Sequence, residues 1–147
     1  MKIAVGSDHA GYDEPKPYYK PEIDSFLQSL GHEVIDCGTD SPAAVDYPDI
    51  AEAVCESVIA GRADVGILLC GSGIGMSMTA NRHREIRAAL CTSPEMARLS
   101  REHNHANVLC VGRRILSLDA CREIIDTWLK TPCSTEERHE RRVSKMG

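Results

Sequence analysis

The run Val65-Gly66-Ile67-Leu68-Leu69-Cys70 carries no charged residue and no polar alternation, and it stops abruptly at Gly71-Ser72-Gly73-Ile74-Gly75. An unbroken apolar run of this length suits a strand covered on both faces, the situation of an interior strand in a parallel sheet. Such a sheet needs helices on both sides, and the sequence supplies them. Strand-like runs recur at Lys2–Gly6, Glu33–Cys37, Ala88–Cys91 and Asn107–Gly112. Helical patterns lie near Pro21–Leu30, Pro48–Ala60, Gly73–Arg82, Pro94–Asn104 and Ser117–Lys130. Gly31 and Gly61 stand where helix C-caps belong, and Pro48 and Pro94 near helix starts. The alternation predicts an open, doubly wound α/β sheet. Ligands of such sheets bind beyond the carboxyl ends of the strands, beside a helix N-terminus.

The chain has 147 residues, which fits one ordinary domain. Its net charge of -5 argues against broad nucleic-acid binding, which needs a basic face. No apolar stretch approaches the roughly 18 residues of a membrane-spanning helix, and Met1-Lys2 leads straight into a strand without a signal-peptide core. The seven cysteines are odd in number and lack zinc or C-x-x-C spacing, so most read as small buried hydrophobes in a reducing, cytoplasmic setting. The tail Ser134–Gly147 is dense in charge, with Val143 and Met146 as a thin apolar edge, and predicts a marginal helix that packs on another surface.

Four places can carry chemistry. Gly6-Ser7-Asp8-His9-Ala10-Gly11 ends strand one, where Asp8 can accept from substrate hydroxyls and His9 can donate, or where Asp8 merely caps a turn. The Cys70–Gly75 turn fails both G-x-G-x-x-G and the phosphate-loop pattern. Its glycines allow close backbone approach, and successive N–H groups make an anion nest able to hold an enediolate. Cys70 would stand beside those amides, where a thiolate is favoured; the plain alternative is a buried thiol before a structural turn. In Arg101-Glu102-His103-Asn104-His105-Ala106-Asn107, a histidine could move a hydroxyl proton or simply cap a helix, and His103, His105 and Asn107 are equal candidates. Arg113-Arg114 and Arg138, Arg141 and Arg142 suit phosphate, or form a solvated face paired with Glu136, Glu137 and Glu140.

Taken together, the chain resembles the type B ribose-5-phosphate isomerase family, which includes galactose-6-phosphate and allose-6-phosphate isomerases. The resemblance rests on Gly6–Gly11, Asp36-Cys37-Gly38, Asp46-Tyr47-Pro48, Cys70–Gly75, Ala80-Asn81, Arg101–Asn104, Val111-Gly112-Arg113 and Arg138–Arg142, in order along nearly the whole chain. It implies a Rossmann-like, three-layer α/β/α domain with a mostly parallel five-stranded sheet and a C-terminal helix in dimer contacts. It implies Cys70 as base, Ser72 at the reacting end and His103 as the ring-opening group, with Asn104 beside it. Asp8, His9, Tyr47 and the Gly71, Gly73 and Gly75 backbone would contact substrate, and Arg113, Arg138 and Arg142 its phosphate. The site would lie between subunits of a homodimer or tetramer, with His103, Asn104 and Arg113 from one chain and Cys70, Arg138 and Arg142 from the other. One branch of the family places a glutamate after the glycine loop; here that position is Met76, so the thiol mechanism is implied. The segment from Tyr12 to Pro21 departs from the family in length and in its three prolines.

The resulting expectation is a cytoplasmic aldose–ketose isomerase for ribose 5-phosphate that needs no cofactor or metal and has no nucleic-acid or membrane partner. The rivals are the same chemistry on allose 6-phosphate, galactose 6-phosphate or a tetrose 4-phosphate, a phosphosugar-binding module without turnover, and a thiol redox protein. The last is disfavoured because no second cysteine lies near Cys70 in sequence.

Overall fold

The computed structural model describes residues 1–147. Five strands form one wholly parallel sheet: β1 (Lys2–Ser7), β2 (Glu33–Asp36), β3 (Val65–Cys70), β4 (Ala88–Leu90) and β5 (Val108–Gly112), in the order β2-β1-β3-β5-β4. Six α-helices connect and follow them: α1 (Tyr19–Ser29), α2 (Tyr47–Ile59), α3 (Ile74–Ala80), α4 (Pro94–Glu102), α5 (Leu118–Lys130) and α6 (Glu137–Ser144). None of these helices is long and apolar enough to cross a membrane.

Strand parity divides the core into two layers. Ile3, Val5, Ile67, Leu69, Leu109 and Val111 face Ile23 and Leu27 of α1, Ala97 of α4, and Ile124 and Trp128 of α5. Ala4, Leu68, Cys70, Val108 and Cys110 face Val54 and Cys55 of α2 and Met76 and Ala80 of α3. Both faces of β3 are therefore buried, which explains its unbroken apolar sequence. The flanking β2 and β4 are sheet edges and only half-buried, unlike the fully covered strands their apolar content suggests.

Helix α1 begins two residues before Pro21. Proline is tolerated there because first-turn N–H groups have no helical acceptor to lose. Lys20 in that first turn is fully buried, and its Nζ donates to Asp24 Oδ2 at 2.8 Å and Asp36 Oδ1 at 3.0 Å. Burial alone would lower the lysine's pKa, but the hydrogen bonds and charges of the two carboxylates more than offset it. The contact ties α1 to the end of β2.

Candidate active site

The chain passes from β1 to β2 on one side and returns to β3 on the other, so strand order reverses between β1 and β3. At such a reversal the connections diverge and leave a crevice beyond the strand ends. A hollow of about 640 Å³ lies there, walled by Asp8, Tyr47, Cys70, Gly71, Ser72, Ile74, Gly75, Met78, Arg114 and Ile115.

Asp8 caps a turn at the edge of the hollow. Oδ1 accepts from Ala10 N–H at 2.9 Å and caps the short turn His9–Tyr12, while the residue also walls the hollow. Tyr47 opens α2, and its ring lies against Gly75, where a Cβ would stand 2.6 Å from ring carbons; any larger residue would displace it. Cys70 ends β3 with 5% exposure, and Gly73 N–H donates to its Sγ at 3.1 Å. That donor suits an anionic sulfur. Gly73 reaches this position with φ +80, a conformation that favours glycine. Ile74 N–H donates to Ser72 Oγ at 3.2 Å, which leaves the Ser72 hydroxyl proton for another acceptor. The N–H groups of Gly71, Ser72 and Gly75 have no acceptor within the chain. Met76 is buried in the core, so no titrating group stands at the position after the loop.

The structure separates the histidine candidates. His105 adopts φ 50 and its Nε2 donates to Ser134 O at 2.8 Å. Asn107 is occupied by Arg87 N–H and Glu85 O. His103 caps the carboxyl end of α4 and stays exposed, with its ring stacked on that of His139 at 4.4 Å between centroids. Arg101 donates to Thr131 O at 3.2 Å, and Ser134 N–H donates to Glu102 O at 3.2 Å. This stretch thus clamps the connector between α5 and α6 and sets α6 beside His103. A second hollow, of about 400 Å³, is formed there by Glu102, His103, Pro132–Glu136, Arg138 and His139.

Cys70 and His103 therefore lie in hollows that share no wall residue. Within one chain the structure groups the arginines as follows. Arg138 keeps company with His103 rather than with Cys70. Arg113 does not reach the Cys70 hollow: its guanidinium lies 4.1 Å from the centroid of the Tyr19 ring, on the α1 side of the sheet, and Arg114 walls the hollow instead. His9 is also outside that hollow, where its Nδ1 accepts from Val45 N–H at 3.3 Å. Asn104 is exposed next to His103. Arg138 pairs with Glu136 at 2.8 Å and Arg141 with Glu137 at 3.9 Å, whereas Arg142 is exposed and has no carboxylate partner. Sequence reasoning gave no place to His139 as the stacking neighbour of His103; nothing in an eight-residue charged helix marks which side chain is buried.

A parallel α/β sheet with a thiol and unpartnered amides at its switch point defines an α/β protein with a ligand crevice at its strand ends, and comparison with known proteins gives that class its identity. Residues 3–146 match the model of the ribose/galactose isomerase family. The chain is 44% identical over 145 residues to ribose-5-phosphate isomerase B of Escherichia coli, covering 99% of this chain and 93% of that one. It is 40% identical over 141 residues to the galactose-6-phosphate isomerase subunit LacB of Clostridium acetobutylicum, covering 95% and 79%. The solved structure of Clostridium thermocellum ribose-5-phosphate isomerase B superposes with a TM-score of 0.94 at 50% identity, covering 100% of this chain and 95% of that one. The chain belongs to the ribose/galactose isomerase family and is a sugar-phosphate isomerase.

Proposed function

We propose that this isomerase interconverts ribose 5-phosphate and ribulose 5-phosphate through a cis-enediolate, with Cys70 as the base. The observation that carries the proposal is the Cys70 sulfur, held 3.1 Å from Gly73 N–H in a hollow with three unpartnered amides. The thiolate takes the C2 proton of the open-chain aldose. The C–H electrons form the C1–C2 double bond, and charge moves to O1. Gly71, Ser72 and Gly75 N–H groups and the Ser72 hydroxyl donate to the enediolate oxygens. The thiol then returns the proton to C1 while the O2 proton passes to O1, which leaves the ketose. Every step is a proton transfer, and no metal or nicotinamide is required.

His103, with Asn104 beside it, opens the sugar ring by moving a proton from the anomeric hydroxyl to the ring oxygen. Arg114 with Arg138 and Arg142 binds the phosphate, and Asp8, His9 and Tyr47 contact the sugar. Two chains related by a two-fold axis complete the site, the partner supplying His103, Asn104, Arg138 and Arg142 to Cys70. Ile74, Met78 and Ile115, exposed around the Cys70 hollow, support a covered rim.

The test is a panel of ribose 5-phosphate, galactose 6-phosphate and a tetrose 4-phosphate, followed by proton NMR in heavy water. Ribose 5-phosphate should turn over fastest, with deuterium entering at the transferred position. Faster turnover of the hexose would overturn the substrate assignment. Activity lost to EDTA and restored by a divalent ion would overturn the metal-free mechanism. His103→Ala should hurt ribose 5-phosphate more than the tetrose, which cannot form the usual phosphorylated ring.

A further inference from the structure

The segment from Tyr12 to Tyr18 is folded on itself. The Tyr12 and Tyr18 rings lie 5.8 Å apart, Tyr18 donates to Glu14 at 2.6 Å, and Lys16 lies over the Tyr18 ring. Asp13 stands at its root, fixed by its own N–H to Ala10 O at 3.1 Å. From there it reaches both arginines that follow β5. Its backbone oxygen accepts from Arg113 Nη2 at 3.4 Å, and its carboxylate accepts from Arg114 Nε at 3.0 Å.

The Arg114 contact uses only Nε, so Nη1 and Nη2 have no protein partner. Nη1 lies against Gly71, 3.2 Å from where a Cβ on that residue would stand, at the wall of the Cys70 hollow. A guanidinium held by Nε presents its two remaining nitrogens as a planar fork, the geometry that takes two oxygens of one phosphate. Without such a hold, the exposed side chain would be free to sample many rotamers and would lose that freedom only on binding.

We propose that Asp13 is a positioning residue, which holds Arg114 so that its free nitrogens face the phosphate of a sugar phosphate in the Cys70 hollow. The inference rests on the reading of Arg114 as a phosphate ligand. It also gives the proline-rich segment, where this chain departs from the family pattern, a part in substrate binding.

The experiment is steady-state kinetics on Asp13→Asn, Arg114→Ala and the double variant, with melting temperature as a control for folding. An exposed ion pair is worth up to about 1 kcal/mol, so Asp13→Asn should raise KM for ribose 5-phosphate roughly two- to fivefold and leave kcat within about twofold. In the Arg114→Ala background the same substitution should change nothing further, because the ion pair it weakens is already gone. A merely structural role would lower melting temperature and persist in that background. If Asp13→Asn does not fold, Asp13→Ser, which is also neutral and too short to reach Arg114 as Asp13 does, should give the same split. An unchanged or lower KM in Asp13→Asn, with Arg114→Ala impaired, overturns the positioning role and leaves the Arg114 reading standing. An unimpaired Arg114→Ala overturns the Arg114 reading itself.

Discussion

The imidazoles of His103 and His139 lie face to face, 9° from parallel, with His103 exposed and His139 buried beneath it. Two stacked rings cannot both be charged without repulsion. Burial first, and then the positive charges of His103, Arg138 and Arg142, hold His139 below the usual histidine range, against an opposing effect from Glu136. The unfolded chain therefore takes up this proton before the folded one does. The stability involved is complete above the ordinary histidine range and is lost as pH falls below it. We expect His139 to titrate below an unstructured histidine in proton NMR. His139→Phe, which keeps a stacking partner, should flatten the fall of melting temperature between about pH 7 and 5. An unchanged slope would assign the acid loss to other groups.

Cys70→Ser keeps an acceptor for Gly73 N–H but replaces a thiol with a hydroxyl that does not ionise usefully. Both Cys70→Ser and Cys70→Ala should lose roughly a thousandfold in kcat, the scale of a general base, with the fold and phosphate affinity preserved. Alkylation gives a second reading. Burial pushes Cys55 up to about 12 and Cys91 and Cys121 up to about 11, and it raises Cys37 and Cys110 as well. Iodoacetamide near neutral pH should spare these five. Mass spectrometry should find inactivation tracking modification of Cys70, slowed by a substrate analogue. Loss of activity that tracks any other cysteine removes Cys70 from the mechanism.

Mixing inactive Cys70→Ala chains with inactive His103→Ala chains should restore activity. Each mixed dimer would hold one site with both native residues and one with neither, so up to half of wild-type turnover is expected. Exchange is to be verified by mass spectrometry of differently tagged chains. Mixed dimers that form and stay inactive would mean that both residues serve the site from one chain.

Lys20→Met should destabilise the protein by roughly 1–3 kcal/mol, because it leaves the half-buried Asp24 and the more exposed Asp36 without their cation. Adding Asp24→Leu should recover part of the loss. Urea unfolding measures both, and a neutral single substitution would show that the ion pair does not hold α1 to β2.

Much of this architecture was legible because hydrophobic runs report burial directly: β3 and the turn after it were readable residue by residue. What failed was orientation. Arg113 and Arg114 are chemically alike, and the resemblance points to Arg113, whereas Arg114 is the one that walls the Cys70 hollow. The parity of β5 tells the two apart: Leu109 and Val111 face the layer of Tyr19, Cys110 faces that of Cys70, and extending the alternation past Gly112 sends Arg113 to Tyr19 and Arg114 to the thiol. The rank order of His103, His105 and Asn107 was beyond any local pattern. It depends on the α5–α6 connector, nearly thirty residues away, which engages His105 and leaves His103 free.

Because no wall residue is common to the two hollows, dilution is itself an inhibitor under the proposed scheme. A solitary chain would be fully folded and still idle, since the thiol and the imidazole could meet only through a second copy. Specific activity should then fall with protein concentration along the dimer dissociation curve, with no accompanying loss of secondary structure. Protein abundance would set not only how many sites exist but what fraction of the chains is enzyme at all.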